Sequence, residues 1–267
     1  MRRRLSGAKV RLYEHDAAVH VRMRNIRLTV EYDGTAYCGW QWQKNGLSLQ
    51  QVIEEAIGRM TGENTRVHGS GRTDSGVHAL CQVASFHTNS TLPERSLLLG
   101  LNSLLPPDIA LRELKEADPD FHARFSVKSK VYLYYICNRP VRPVKERLYS
   151  WFIWQPLDVE KMREALAVFM GSHDFTSFCS THTDRSDHVR TILAASLEKD
   201  ADGMIAISLE ADGFLRYMVR TIVGTLAYAG LGKCTQEEVV AMLAAKDRRK
   251  AKLTAPPQGL FLKQVNY

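Results

Sequence analysis

The order of apolar patterns along the chain is the strongest constraint on its fold. Apolar residues alternate from Ile26 to Tyr32, which predicts a half-buried strand, whereas the i, i+3, i+4 spacing after Ser48 predicts an amphipathic helix. Patterns of these two kinds predict strands near 26–32, 66–69, 77–87 and 109–115 and helices near 48–60 and 94–105. The first half is therefore predicted to run strand, helix, strand, strand, helix, strand.

The second half repeats this theme. Its patterns predict strands near 130–137, 148–154, 190–199, 203–211 and 259–267 and helices near 158–170, 213–229 and 235–246. Two such units are typical of split βαβ topology, so we expect an α+β fold of two ferredoxin-like (RRM-like) subdomains with mainly antiparallel sheets that form a central cleft. The halves share no obvious sequence repeat, so this prediction rests on element order.

The chain is predicted to divide into three segments. Residues 1–23 lack clear periodicity and precede the first strand, so we expect a basic N-terminal arm that is disordered or a start-site artefact. The Asp-Pro-Asp sequence at 118–120 predicts the boundary between an N-terminal subdomain, 24–122, and a C-terminal subdomain, 123–267.

Composition argues against several protein classes. The 267-residue chain is 45% hydrophobic and 24% charged, the balance of a globular protein. No apolar run approaches the roughly 20 residues of a membrane span, and no apolar segment follows the basic start as it would in a secretory signal. The five cysteines form no CxxC pair, which argues against a zinc ribbon or a disulfide framework. We therefore predict a cytoplasmic protein with no membrane contact.

Local positive charge suggests a polyanionic partner. The net charge is +7, and residues 122–147 alone hold seven basic residues and one acidic residue, or +6. Basic patches on a nearly neutral body are typical of proteins that follow a nucleic-acid backbone, although each lysine or arginine taken alone is as well explained by solvation. The candidate phosphate contacts are Lys128, Lys130, Arg139, Arg142, Lys145 and Arg147.

The segment 69–79, GSGRTDSGVHA, has the strongest chemical character in the chain. Three glycines within eight residues permit close backbone approach, and Arg72, Thr73 and Asp74 lie between them. The segment joins two predicted strands, so we expect it at a sheet end, where functional loops are common. A plain turn is the alternative, and the glycine spacing fits neither a phosphate loop nor a dinucleotide fingerprint.

This segment resembles the signature of the tRNA pseudouridine synthase A family. Companion segments match in family order over about residues 25–267, at 31–34, 39–41, 129–134, 174–178, 218–220 and Gly224. The resemblance implies conversion of uridine to pseudouridine at positions 38, 39 and 40 of the tRNA anticodon stem-loop. It also implies a homodimer with one tRNA contacting both subunits, and no cofactor or metal.

The resemblance implies that Asp74 is the catalytic carboxylate, acting on a uridine that has left its base stack. A carboxylate must be ionised to act as a nucleophile, so we expect a nearby cation. The predicted helix 213–229 is apolar nearly all round, with Arg216 and Arg220 almost its only charges, and the family match implies that Arg220 pairs with Asp74. The alternative is that both arginines extend to solvent.

Two further residues are assigned to substrate binding. Tyr132 matches the family's active-site tyrosine and could stack on an extruded uracil. Arg72, two residues before Asp74, could fill the space that the flipped base leaves and bind phosphate.

Three other interpretations remain open at this point. Residues 182–188 contain four possible metal ligands, but their spacing fits no common site, and a mobile loop near the RNA is favoured. A non-catalytic RNA-binding module is possible, although the RNP1 aromatic pattern is absent. A different enzyme with an aspartate nucleophile would need a second carboxylate or a metal set near Asp74, which the sequence does not show.

Overall fold

The computed structural model describes residues 22–181 and 187–267, and within them the chain forms ten strands and five α-helices. The first-half elements are β1 (Arg24–Tyr32), α1 (Leu49–Thr61), β2 (His68–Gly69), β3 (His78–Thr88), α2 (Glu94–Leu104) and β4 (Ile109–Glu116). The second-half elements are β5 (Ser129–Cys137), β6 (Trp151–Phe152), α3 (Val159–Ala167), β7 (Gly171–Asp174), β8 (Val189–Lys199), β9 (Met204–Ala211), α4 (Met218–Gly230), α5 (Gln236–Ala244) and β10 (Leu260–Asn266). Residues 1–21 of the predicted arm and most of the 182–188 cluster lie outside the described residues.

The strands form one sheet in the order β4-β1-β3-β10-β5-β9-β8-β7, with β2 paired to β3 and β6 paired to β5. The first half has the order β4-β1-β3-β2, and the second half has the corresponding order β10-β5-β9-β8. Both halves thus have the predicted ferredoxin-like arrangement, and the α+β class is confirmed. The division at residues 122 and 123 stays a prediction, because β10 joins the two half-sheets into one.

The strand β10 joins the two halves of the sheet. It pairs parallel with β3 and antiparallel with β5, so that Leu262 lies between Ala79 on one side and Tyr132 on the other. Adjacent residues across a sheet point to the same face. Tyr132 of the second half and the start of β3 in the first half therefore face the same side of the sheet.

Side-chain caps hold the starts of α1, α3 and α5. Asp158 caps α3, and Thr235 and Glu238 form the complete capping box of α5. Ser48 accepts a hydrogen bond from the Gln51 backbone at the start of α1, but the Gln51 side chain donates to Glu55 instead of returning to Ser48. Only one of the two hydrogen bonds of a capping box therefore forms at α1.

The structure differs from several of the predicted elements. The helix predicted over 213–229 begins at Met218, because the preceding Tyr217 has φ 67°, a left-handed backbone. The strand predicted over 148–154 is reduced to β6, and the short strand β7 was not predicted because it forms only by pairing with β8. None of the helices in the described ranges is long and apolar enough to cross a bilayer.

Candidate active site

The loop 70–77 is held by hydrogen bonds from both halves of the chain. The Ser70 backbone N–H donates to the Val83 carbonyl (2.7 Å), and the Gln82 side chain donates to the Gly71 carbonyl (3.0 Å). From β5, Lys130 Nζ donates to the Ser70 carbonyl at 2.6 Å. The Lys130 ammonium thus helps to anchor the loop, and its contact with phosphate stays a prediction.

The opposite side of the loop packs on the segment after β1. The Trp40 backbone N–H donates to the Thr73 carbonyl (3.1 Å), and the Thr73 and Tyr32 hydroxyls are 2.8 Å apart in the protein interior. Burial raises the pKa of Tyr32 far above its ordinary value, so this hydroxyl is neutral. These contacts hold the backbone of Thr73, the neighbour of Asp74, on a rigid support.

Gly39 permits this close approach. Its φ is 104°, and a Cβ at this position would lie 2.6 Å from the Thr73 carbonyl oxygen. We expect Gly39→Ala to lower the free energy of unfolding by roughly 2–4 kcal/mol, because overpacking is added to an unfavourable left-handed backbone. Urea denaturation measures the change.

Gly62 provides the matched control for this prediction. It also has a left-handed backbone, with φ 75°, but no atom beyond its chain neighbours lies within 4 Å of the place that a Cβ would occupy. Gly62→Ala is therefore expected to cost only about 1 kcal/mol. Equal costs for the two variants would show that the contact with Thr73 does not constrain the loop.

Asp74 and Arg220 form an ion pair between the two halves. Arg220 Nη1 lies 3.1 Å from Asp74 Oδ2, and the side chains are 13% and 21% exposed, respectively. The Arg220 Nε also donates to the Ala255 carbonyl at 2.7 Å. The guanidinium is thus fixed by two partners, and the structure brings together the two residues that the resemblance implied.

The environment of Asp74 opposes ionisation more than the expected cation favours it. Burial raises the pKa of Asp74 and is the largest effect, while the charges of Arg220 and Arg216 and the hydrogen bond from Arg220 lower it. The net result is a pKa above the ordinary value. Without these arginines, the carboxylate would be still harder to ionise.

Tyr132 lies on β5 facing this pair. Its side chain is 7% exposed, and its ring meets the Phe214 ring edge-on with 5.0 Å between centroids. Burial, together with the charges of Tyr32 and Asp74, raises the pKa of Tyr132 far above its ordinary value, so the hydroxyl stays protonated. Tyr134, two residues along, is fully buried and donates to the Pro256 carbonyl (2.7 Å), as befits a core residue.

Arg72 occupies a different position from the ion pair. It is exposed, and its Nε donates to Gln41 Oε1 at 3.0 Å. Gln41 in turn donates to Gln50, which is 3% exposed and donates to the Val67 carbonyl. This chain of amides holds the stem of Arg72 beside the loop. Gln41 belongs to a companion segment of the family signature, but nothing in the sequence assigned this contact.

Sequence comparison shows what kind of protein carries this site. The family model described as tRNA pseudouridine synthase matches residues 28–126 and 165–267. A protein named tRNA pseudouridine synthase A from Thermoanaerobacter sp. (strain X514) is 47% identical over 245 residues, which cover 92% of this chain and 100% of that protein. The chain belongs to the tRNA pseudouridine synthase family. A second relative of the same name, from Geotalea uraniireducens (strain Rf4), is 46% identical with the same coverage of both chains.

As a member of this family, the chain is an isomerase that makes pseudouridine in tRNA. The family match spans both halves, so it includes Asp74 on the loop and Arg220 on α4. A pseudouridine synthase must break and form bonds at the sugar and base of one nucleotide. The paired carboxylate and the neighbouring neutral tyrosine are side chains suited to that task.

The sequence also suggested a metal-ligand cluster at 182–188 and a second arginine, Arg216, near Arg220. In the ranges 22–181 and 187–267, no group of three or more His, Cys, Asp or Glu side chains could hold a metal ion, and residues 182–186 lie outside those ranges. Arg216, predicted one helical turn from Arg220, instead precedes α4 and is exposed. The sequence reasoning missed Tyr217, whose ring lies close to both arginine guanidiniums.

Proposed function

We propose that this synthase isomerises uridine at positions 38, 39 and 40 of the tRNA anticodon stem-loop, with Asp74 as the nucleophile on a flipped-out uridine. The observation that carries the proposal is the ion pair between Asp74 and Arg220, at the junction of the two halves. The tRNA positions come from the resemblance of the loop and its companion segments to the family signature.

In the proposed reaction, the N1–C1′ bond breaks, the uracil turns, and a C5–C1′ bond forms. The hydrogen on C5 leaves as a proton and N1 gains a proton in its place, so uridine and pseudouridine have the same atoms and no oxidant or energy donor is consumed. Attack of Asp74 at C1′, attack at C6, and formation of a glycal all require an ionised carboxylate. Arg220 favours the ionised form, and its hydrogen bond to Oδ2 orients the Asp74 carboxylate.

Tyr132 and Arg72 are proposed to bind the substrate. The neutral Tyr132 ring, close enough to Asp74 for the charge of the carboxylate to act on its hydroxyl, is suited to stack on the extruded uracil. Arg72 is exposed and is held at its Nε by Gln41, so the rest of its guanidinium can enter the RNA stack or bind a phosphate.

Arg72→Ala tests this role. We expect turnover to fall by about 10–100-fold, because base flipping costs a few kcal/mol that the guanidinium helps to offset. The melting temperature should change little, because Arg72 is exposed. Single-turnover tritium release and thermal denaturation measure the two effects.

Arg112→Ala is the matched control, because Arg112 is also exposed and has one side-chain partner, Glu31, on a neighbouring strand. It should retain wild-type turnover. If Arg72→Ala unfolds the protein, Arg72 is structural, and if it retains full turnover, Arg72 has no role in base flipping.

The reaction itself is tested with tRNA carrying tritium at uracil C5. Release of tritium reports the completed C–C bond, and replacing each uridine at positions 38, 39 and 40 in turn by cytidine identifies the targets. Binding of tRNA without release would favour a non-catalytic RNA-binding module. Release from a tRNA in which all three uridines are replaced together would contradict the proposed positions.

Two further proposals concern the assembly and location of the protein, the first from the family resemblance and the second from the cysteines. We propose a homodimer in which one tRNA contacts both subunits, which light scattering of the protein with and without tRNA tests directly. The five cysteines are free thiols, which supports the proposed cytoplasmic location.

A further inference from the structure

Tyr217 has an unusual backbone beside the catalytic carboxylate. Within the described residues, only Tyr217 and Lys246 have positive φ without being glycine. Bulky side chains rarely adopt this conformation, and such outliers persist where the surrounding structure enforces them. Tyr217 immediately precedes α4, and its carbonyl accepts a hydrogen bond from the Thr221 backbone, so the strain is built into the start of the helix that carries Arg220.

The Tyr217 ring contacts two guanidinium groups. The Arg216 Cζ lies 4.9 Å from the ring centroid and the Arg220 Cζ lies 5.1 Å from it, both within the range of a cation–π contact. Arg216 Nη2 also donates to the Tyr217 hydroxyl at 3.3 Å. One aromatic ring therefore packs against the two cations that act on Asp74.

The charged and titratable groups that interact with Asp74 come from three parts of the chain. Arg220 lies on α4, Arg216 precedes it, and Tyr132 lies on β5. Arg220 is fixed by Asp74 and Ala255, but Arg216 is exposed and its side-chain bond is to Tyr217. Two like charges repel, and a free arginine side chain samples many rotamers, so Arg216 needs a support to remain near Asp74.

We propose that Tyr217 is a positioning residue for the isomerisation, and that its ring holds the guanidiniums of Arg216 and Arg220 beside Asp74. The ring provides a surface that attracts both cations and separates them from each other. The left-handed backbone is the conformation in which the ring meets both side chains. The inference rests on the proposed role of Asp74, but the arrangement of the arginines is measurable without that role.

Two substitutions separate the contribution of the Tyr217 ring from those of its hydroxyl and its backbone conformation. Tyr217→Asn removes the ring, and asparagine tolerates a left-handed backbone better than most residues do. Tyr217→Phe keeps the ring and removes only the hydroxyl. The matched control is Tyr228→Asn, because Tyr228 is a tyrosine of α4 itself whose ring also contacts a cation, Lys233, at 5.9 Å, but it does not act on Asp74.

The first readout is the pKa of Asp74, from a ¹³C NMR titration of aspartate-labelled protein in which Asp74→Asn assigns the signal. In Tyr217→Asn we expect this pKa to rise by about half a pH unit or more, because Arg216 is no longer held near the carboxylate and Arg220 loses its contact with the ring. The pKa should be unchanged in Tyr217→Phe and Tyr228→Asn. An unchanged pKa in Tyr217→Asn would overturn the proposal, whatever happens to the melting temperature.

The second readout is single-turnover tritium release as a function of pH. Tyr217→Asn should lower the rate at neutral pH by about tenfold and move the acid limb to higher pH, while Tyr217→Phe stays within about twofold of wild type. An equal loss in Tyr217→Phe would contradict a role for the ring. If Asp74→Asn itself releases tritium, the nucleophile assignment fails, whereas the NMR result still decides whether Tyr217 positions the arginines.

Discussion

Asp74→Asn is expected to abolish tritium release from tRNA labelled at uracil C5, with a fall of about 1,000-fold or more, while the protein still folds and binds tRNA. Asparagine has the same shape as aspartate and can still accept the hydrogen bond from Arg220 Nη1, which is now 3.1 Å from Asp74. Its amide is not a nucleophile, so the step that the carboxylate performs is lost. Single-turnover release and filter binding with the same tRNA measure the two properties.

The same variant also tests whether the pKa of Asp74 is raised, through the pH dependence of stability. Burial raises the pKa of Asp74 in the folded protein above its ordinary value. The stabilising contribution of this group is then fully present below the unfolded-state pKa and is lost as pH rises through the folded-state pKa. Wild type should therefore lose stability relative to Asp74→Asn as the pH rises through that range, which thermal melts at several pH values will show.

Asp202→Asn is the control, because this exposed aspartate lies in the turn between β8 and β9. It should change neither tritium release nor the pH dependence of melting. Turnover retained by Asp74→Asn would remove Asp74 from the nucleophile role. A variant that fails to bind tRNA would instead make the carboxylate a binding group.

The sequence predicted those parts of the fold that depend on local periodicity. Alternation along 26–32 and the apolar stripe after Ser48 correspond to β1 and α1. The same reasoning placed the start of the helix with Arg220 too early, because apolar spacing continues through Phe214 and Tyr217, whereas a backbone angle is not encoded by spacing. The short strand β7 was missed because it forms only by pairing with β8.

The site required more than the local pattern. Asp74 and Arg220 are 146 residues apart, and only the family resemblance linked them. Gln41 and Tyr217 had no comparable signal, because their roles follow from contacts with Arg72 and with the arginine pair. The sequence also could not predict that the pKa of Asp74 is raised. It indicated a nearby cation, which lowers the pKa, but not the extent of burial, which raises it.

Arg220→Gln should lower turnover by about 100-fold and reduce the free energy of unfolding by roughly 1–3 kcal/mol at neutral pH. Arg220 is 13% exposed and donates to both Asp74 and Ala255. Removing the charge leaves a largely buried carboxylate without its principal partner, so the pKa of Asp74 should rise further. The acid limb of tritium release should move to higher pH accordingly, which a pH series of single-turnover rates measures.

The loss of stability in Arg220→Gln should itself depend on pH. As pH falls, Asp74 becomes protonated in the variant first, and a neutral carboxyl costs less to bury than an unpaired charge. The difference between wild type and the variant should therefore shrink in acid, as urea denaturation at several pH values will show. Arg112→Gln, which breaks an exposed ion pair with Glu31, should show little loss at any pH.

Arg220→Lys keeps the charge but not the geometry, and so separates the two contributions of this side chain. The planar guanidinium of Arg220 donates one hydrogen bond to Ala255 through Nε and another to Asp74 through Nη1. A single ammonium lacks this planar geometry. In the pH profile of tritium release, the acid limb of Arg220→Lys should lie closer to that of wild type than the acid limb of Arg220→Gln does. The turnover of Arg220→Lys should nevertheless remain about tenfold or more below wild type. Equal acid limbs in the two variants would mean that orientation, and not charge, is what Arg220 supplies to Asp74.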